Sequence, residues 1–175
     1  MRTIFKYLIY LLSLILFLLI LLPKENIYFK IEQVLENQGV VISNETFNNK
    51  LLGFDINAAD VFYKELYFSN INRFDFQTYI ISSKVKMDGI RFSNGFSKMI
   101  PTPIENIILT HSIFDFKNVK IDANSSFGKL DGNIDLLSKK IILYFDATNS
   151  MKSRYSNVLR MMKQKDGRYI YEYNY

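Results

Sequence analysis

Very little in this chain is equipped to do chemistry. The single histidine, His111, stands in the alternating stretch Leu109-Thr110-His111-Ser112-Ile113. A general base needs an oriented nucleophile beside it, and no G-x-S-x-G elbow occurs to supply a serine. With one histidine and no cysteine, neither an imidazole set nor a thiolate set for a metal is complete. The acidic residues are scattered singly through the alternating segments, and neither a Walker loop nor a G-x-G-x-x-G turn is present. Paired-carboxylate catalysis and phosphate cradling therefore have no local basis. His111 and the carboxylates read as surface or structural groups, and the expectation is a protein that is not an enzyme and holds no cofactor and no metal.

One modification motif stands out. Asp122-Ala123-Asn124-Ser125-Ser126 follows the acidic-x-Asn-x-Ser/Thr pattern and resembles the acceptor of bacterial oligosaccharyltransferases, which makes Asn124 a candidate N-glycosylation site. Such a site has to be presented in a loop, and Asn124 falls where a predicted strand becomes a turn.

The element that sets the compartment comes first in the chain. Ile4 to Leu22 is an apolar run whose length of about 19 residues, at roughly 1.5 Å each, spans nearly the 30 Å of a bilayer's hydrocarbon core. Ile4, Leu8, Leu12, Leu16, Leu19 and Leu22 mark the membrane anchor, and Lys6 lies near enough to its end to snorkel into the headgroups. A cleaved signal peptide is the rival reading. It would have a shorter apolar region followed by small residues, whereas Pro23-Lys24-Glu25 follows here. Arg2, Lys6 and the amino terminus place the front end in the cytoplasm by the positive-inside rule, with Lys24 weakening the asymmetry. Residues 1–23 are then a cytoplasmic tip and anchor, and residues 24–175 one extracytoplasmic domain.

Seven Gly, three Pro and 49% hydrophobic residues exclude a disordered or collagen-like chain, and 15% aromatics without Trp suit strands built on Tyr and Phe. The absence of Cys means that packing alone holds an extracytoplasmic domain together. The net charge of +5 is local: Lys139 to Arg168 carries 8 basic and 2 acidic side chains, against 12 and 14 in residues 24–138. That basic stretch lacks a reader fold and faces away from the cytoplasm, so nucleic acid is not an expected partner.

After the anchor, Asn26 to Gln38 places Ile27, Ile31, Val34 and Leu35 at helical spacing, with Gly39 at the stop. From Val40 the period becomes two. Val40 and Ile42 alternate, then Leu52, Phe54 and Ile56. At Ala58-Ala59 the phase slips to Val61 and Tyr63, as a bulge requires. Leu66 and Phe68, Phe74 and Phe76, and Val85 and Met87 continue the alternation, with breaks expected at Asn70, Asn72, Ser82-Ser83 and Asp88-Gly89. Gly95 to Pro103 reads as a loop.

The clearest pattern follows. Val119, Ile121 and Ala123 face one way; Leu130, Ile134 and Leu136 share a face with Gly132; Ile141, Leu143, Phe145 and Ala147 form a third strand. Short intervals at Ser125 to Gly128 and Leu137 to Lys140 predict antiparallel hairpins, hence a meander with one apolar and one wetted face. Ile142 and Tyr144 depart from the wetted rule and suggest a last strand that is covered on both sides or lies at an edge. Ser150 to Lys165 returns to helical spacing, with Tyr155, Val158, Leu159 and Met162 on one side. It either closes one end of the sheet or lies on an anionic membrane, and closure is the expected role because a Tyr-rich strand, Arg168 to Tyr175, must return to the sheet. The fold class expected is mainly β: an N-terminal transmembrane helix, then a curved antiparallel meander with short amphipathic helices at its ends.

The layout of a short tip, one anchor ending LLPKENIYFKIEQVLENQGVVIS and strands leading to ILTHSIFDFKNVKIDANSSFGKLDGNIDLLSKKIILYF resembles small single-anchor proteins related to type II secretion protein N, and through them AsmA-type envelope proteins. The resemblance implies a bacterial inner-membrane protein with a periplasmic curved sheet and a role in secretion or envelope lipid handling. Two functions are compatible with it, the first expected and the second its alternative. One is an assembly component that binds envelope or secretion-machinery proteins through an exposed sheet edge. The other is a lipid-handling module that leaves Leu130, Ile134, Leu136, Ile141, Leu143 and Phe145 open to phospholipid acyl chains, unless those residues form an ordinary closed core.

Overall fold

Alternating side chains with frequent turns build one antiparallel sheet. The structure, a computed structural model, describes residues 2–97 and 99–175; Met1, in the expected cytoplasmic tip, and Lys98, in the expected loop, lie outside the described residues. The helices are α1 (Arg2–Leu21), α2 (Lys24–Glu36), α3 (Asn149–Arg154) and α4 (Ser156–Arg160). The strands are β1 (Val40–Ser43), β2 (Thr46–Lys50), β3 (Gly53–Tyr63), β4 (Leu66–Thr78), β5 (Ser82–Phe92), β6 (Ile104–Ser112), β7 (Asp115–Ser125), β8 (Gly128–Asp135), β9 (Lys140–Ala147), β10 (Lys163–Lys165) and β11 (Arg168–Asn174). They form one open sheet in the order β1-β3-β4-β5-β6-β7-β8-β9-β11-β10, with β2 beside β1 on the outer side of β3.

Thr3–Leu21 of α1 is long and apolar enough to cross a membrane, and none of it is buried within the chain. Pro23 ends the helix because its ring fixes φ and its nitrogen has no hydrogen to donate. Lys24 Nζ donates to the Ile20 carbonyl at 2.9 Å, so a cation meets the negative end of the helix dipole.

The buried side of α2 differs from its apolar spacing. Ile31 and Val34 are exposed, and the residues turned inward are Lys24 and Tyr28, four apart on one face. Tyr28 packs its ring 5.6 Å from Phe47 and 5.9 Å from Phe54, and donates its hydroxyl to Glu45 Oε1 at 3.0 Å. The aromatic ring outweighs the branched aliphatics because it reaches the Phe pair and also satisfies its polar tip. Burial, with the Glu45 hydrogen bond behind it, pushes the Tyr28 hydroxyl above its ordinary pKa. A raised pKa contributes stability that is present below the unfolded value of about 10 and is lost as the pH rises beyond it. Tyr28→Phe is therefore expected to cost about 1–2 kcal/mol at neutral pH, measured by denaturant titration, and to flatten the decline in stability above pH ~10.

Four strands bend together along one line. Ala58 has φ 57°, Gly89 has φ 66°, and the register continues unchanged across Ala58–Asn72 and Asn72–Gly89. In each strand two successive residues point outward there, which resets the alternation so that Ile56 and Ala59, or Phe74 and Ile71, lie in the same core. The line ends in β6 at Glu105, an extra residue opposite β7. The expected slip at Ala58-Ala59 is thus present, but not as an insertion in β3. Asn70 and Asn72 lie inside the single strand β4 and Asp88-Gly89 inside β5, so these are bends and not breaks. Such lines of positive φ and bulges are how a sheet acquires curvature.

At the carboxyl end the expected helix over Ser150 to Lys165 is two short ones. Tyr155, at φ −123° and ψ 33°, interrupts them, and Lys163 and Lys165 belong to β10. Thr148 starts this unit: its hydroxyl accepts from the Met151 amide at 3.4 Å and donates to the Phe127 carbonyl at 2.9 Å. Met151 and Leu159 pack on Phe127 and Phe145, so α3 and α4 close over the sheet. The hairpins at Ser125–Gly128 and Asp135–Lys140 form as the spacing predicts. β9 is not an edge: β11 pairs with it, and the Arg168 guanidinium lies 5.4 Å over the Tyr144 ring, which accounts for the apolar residues on its outer face.

Candidate functional site

Residues paired directly across strands share a face, so register locates the apolar surface. One row runs Phe54, Phe76, Val85, Leu109, Ile121, Gly132, Leu143 and Tyr171. The neighbouring row runs Ile56, Phe74, Met87, Ile107, Ala123, Leu130, Phe145 and Tyr169. Together they make one apolar stripe from β3 to β11.

Helical cover lies over β3 at one side of this stripe and over β8 and β9 at the other. Tyr28 of α2 lies over Phe54 at one end, and Met151 and Leu159 lie over Phe145 at the other. Between them Phe76, Val85, Leu109 and Ile121 are partly buried; α2 packs on β1 and β3, and α3 and α4 pack on β8, β9 and β11 around a cavity that reaches Ala123 and Ile104. Neighbouring side chains on one face of a sheet shield one another without a second layer, which accounts for partial burial in place of full exposure. At the α3–α4 end the trough runs into an apolar cavity of about 160 Å³ lined by Pro101, Ile104, Leu130, Phe145, Met151 and Val158. Its volume is below the roughly 300 Å³ of a pocket for a whole ligand, and suits a small apolar group.

The reverse face is polar. Lys50 and Arg73 bridge Asp55 and Asp75, with Lys50 to Asp55 at 3.4 Å and Arg73 to Asp55 at 3.4 Å; Arg168 pairs with Asp131 and, at 2.8 Å, with Asp146. Lys50 and Arg73 to Asp55, and Arg168 to Asp146, join adjacent strands and pin register, while Lys50 to Asp75 and Arg168 to Asp131 reach across one strand further. Two other carboxylates have structural partners: amide groups of Asn44 and Asn70 hold Asp60 below the ordinary carboxylate pKa, and the Ser138 and Leu137 amides do the same for Asp135 in its turn. The Asp131 carboxylate raises Arg168 further.

Of the six residues expected on the apolar face, Leu130, Ile134, Ile141, Leu143 and Phe145 lie on it, with Ile134 directly opposite Ile141. Leu136 does not: it falls beyond the last paired residue of β8, in the turn, and is exposed. Of the anchor residues, Ile4, Leu8, Leu12, Leu16 and Leu19 lie in α1, while Leu22 follows its last residue. His111 Nε2 lies 3.1 Å from the Phe116 carbonyl, beside a register shift between β6 and β7, and so supports the hairpin. Asn124 lies inside β7, its side-chain amide donating to Asn106 Oδ1 at 3.1 Å, so it is held in a paired strand and not presented in a loop. Among the described residues no group of three or more His, Asp or Glu side chains is placed to hold a metal ion.

Sequence spacing missed most of the stripe. Phe54, Phe76, Val85, Leu109 and Ile121 each alternate locally, but which strands stand side by side, and therefore that these residues form one row, emerges only from pairing. Comparison with protein-family models, curated proteins and solved structures gives no match to this chain.

Proposed function

We propose that the chain is a single-pass, non-catalytic lipid-handling module that takes phospholipid acyl chains on the open apolar face of its sheet. In this reading α1 is an uncleaved anchor in a bacterial inner membrane, residues 24–175 lie on the periplasmic side, and the protein is akin in layout to type II secretion protein N and the AsmA-type proteins. The carrying observation is the apolar stripe that crosses the sheet with helical cover over β3 and over β8 and β9, and partly buried residues between. A closed core would bury Leu109 and Ile121; here they are only partly buried in the middle of a continuous row. A contiguous apolar row that is not fully covered supports a binding surface.

The competing reading, recruitment of a protein by strand addition, has weaker support in the edges. One edge is β10, three residues with Lys163 and Lys165, and the other is β1 and β2, four and five residues interrupted at Asn44-Glu45. Short, broken and Lys-bearing edges discourage pairing with another chain.

Native mass spectrometry of the detergent-extracted full-length protein decides. Retained phospholipid is the expected result, and Leu109→Asp with Ile121→Asp should lower its occupancy by about tenfold, since each charge must be desolvated against an acyl chain. Because Leu109 and Ile121 are directly opposite and partly buried, the thermal midpoint of that variant should also fall by a few degrees, so occupancy is compared well below both midpoints. A stoichiometric protein partner with no lipid would replace this reading with assembly, and a mature amino terminus near residue 24 would remove the anchor.

A further inference from the structure

Antiparallel hairpins send their turns alternately to the two ends of a sheet, and in this protein the two ends differ in chemistry. The turns after β2, β4, β6 and β8 share one end. They read Leu51-Leu52, Tyr79-Ile80-Ile81, Ile113-Phe114 and Leu136-Leu137-Ser138-Lys139. Every one of them presents large apolar side chains to solvent, Phe114 at 81% exposure being the extreme, and Phe116 next to it is exposed as well. The carboxyl-terminal tyrosines join the same end, because the Tyr175 amide donates to the Lys139 carbonyl at 3.0 Å. The opposite end is made of Lys64-Glu65, Asn94-Gly95, Ser126 and the Thr148-Asn149-Ser150 helix start; Leu66 and Met161, exposed there, directly follow Glu65 and Arg160, and Tyr63, Tyr67 and Met99 are exposed at the same end.

The course of the chain shows which of these ends receives α1. Tyr28 lies over Phe54 and Phe47, near the β2–β3 turn, whereas the far end of α2 reaches the β3–β4 turn, where the Lys64 amide donates to the Gly39 carbonyl at 2.7 Å. From Tyr28 back to Lys24 is about 6 Å of helix rise. From Phe54 back to Leu52 is about 7 Å of strand. The junction between α1 and α2 is therefore level with the Leu51-Leu52 turn, at the apolar end of the sheet.

The geometry points to a bilayer-docking edge: the four turns Leu51-Leu52, Tyr79–Ile81, Ile113-Phe114 and Leu136–Lys139 rest in the headgroup region of the membrane that α1 spans. Adjacent turns are separated by two strands, or about 10 Å, so the set forms a row of roughly 30 Å along the surface. Apolar residues enter the interface, while Tyr79, Tyr173 and Tyr175 and the Lys117 and Lys139 amines suit the headgroup layer. An exposed apolar tip is a solubility liability in water. Four on one end and at the level of a membrane-spanning helix have a common cover. The inference rests on the reading of α1 as an anchor and deepens the lipid reading, because it sets one long side of the apolar stripe along the source of acyl chains.

The chain has no Trp, so single substitutions report cleanly. The full-length protein would be reconstituted into vesicles of phosphatidylcholine and phosphatidylglycerol containing phosphatidylcholine brominated high on its acyl chains. Phe114→Trp and Leu137→Trp probe two turns, Lys64→Trp the opposite end, and Leu12→Trp the middle of α1. Fluorescence from the two turn variants is expected to be quenched at least about twofold more than that of Lys64→Trp, with emission shifted to the blue. If the turn variants match Lys64→Trp while Leu12→Trp is quenched, the docking edge is wrong and the anchor stands. An unquenched Leu12→Trp would remove both. Turn variants shielded from aqueous iodide but untouched by brominated lipid would assign the edge to contacts between copies of the chain, and that too overturns the inference.

Discussion

Leu159→Asp is expected to lower the stability of the sheet domain by about 4 kcal/mol, and the thermal midpoint of the detergent-solubilised chain by about 10 °C. Leu159 is 5% exposed and Met151 1%, and both press on Phe127 and Phe145, with Leu130, Tyr155 and Tyr169 around them. Losing the side chain leaves a cavity, and a carboxylate held in that apolar cluster must be desolvated, with Lys152 and Arg160 of the neighbouring groove its nearest cations, so the two costs add. Arg160, Lys163 and Lys165 lie outside the cluster and are exposed. Changing all three to Gln should move the midpoint by little, since each exposed substitution away from a packed feature costs within about 0.5 kcal/mol. If α3 and α4 lay on a membrane surface the order would reverse: the charge changes would weaken binding to anionic vesicles and Leu159→Asp would leave the midpoint in place. Equal midpoints for Leu159→Asp and the parent chain would therefore sink the closure of the sheet by these helices.

Individual elements were legible wherever a single segment carried its own pattern. The apolar run of α1, the hairpin turns at Ser126-Phe127 and after Asp135, and the phase slip at Ala58-Ala59 can each be read from neighbours in sequence. Patterns that belong to several strands at once were not. Asn72 and Gly89 look like interruptions when one strand is read alone, and only alignment of Ala58, Asn72, Gly89 and Glu105 across four strands turns them into one bend. β2, Thr46–Lys50, has one apolar residue, Phe47, and its existence depends on pairing with β3. Helical spacing from Tyr155 to Met162 is real as a contact pattern, because Met162 still reaches the cluster, but a turn brings it there where a continuous helix was expected. In α2, ranking residues by hydropathy favours Ile31 and Val34 over Tyr28, whereas the aromatic partners Phe47 and Phe54, distant in sequence, decide which face is buried.

The candidate site followed the same rule. Leu130, Ile134, Ile141, Leu143 and Phe145 stand on adjacent strands joined by a tight turn, so their shared face could be inferred from alternation alone. Whether that face was closed depended on the helices, and spacing has no means of saying that Tyr28 covers one end and Leu159 the other. What lies between the two covers is a question of register over seven strands.

Gly132→Ala tests that register at the centre of the apolar row, with an expected loss of about 3 kcal/mol by denaturant titration. A Cβ built on Gly132 would lie 2.2 Å from the Ile142 carbonyl oxygen and 3.0 Å from the Leu143 Cα, both backbone atoms of β9. Such atoms cannot swing aside, so β8 and β9 would have to part where Gly132 pairs with Leu143. Glycine in a strand interior is otherwise unfavourable, and its presence here is explained by this close approach. Two other glycines calibrate the effect. Gly167 has φ 80° and nothing within 4 Å of an added Cβ, so Gly167→Ala should cost only the strain of a left-handed turn, about 1 kcal/mol. Gly95 has no positive φ and only Ser93 Oγ at 4.0 Å, so Gly95→Ala should be nearly neutral. The expected order of destabilisation is Gly132, then Gly167, then Gly95. A Gly132→Ala variant no less stable than Gly95→Ala would mean that β8 and β9 do not pair as Leu130 with Phe145 and Ile134 with Ile141, and the continuous apolar row would lose its basis.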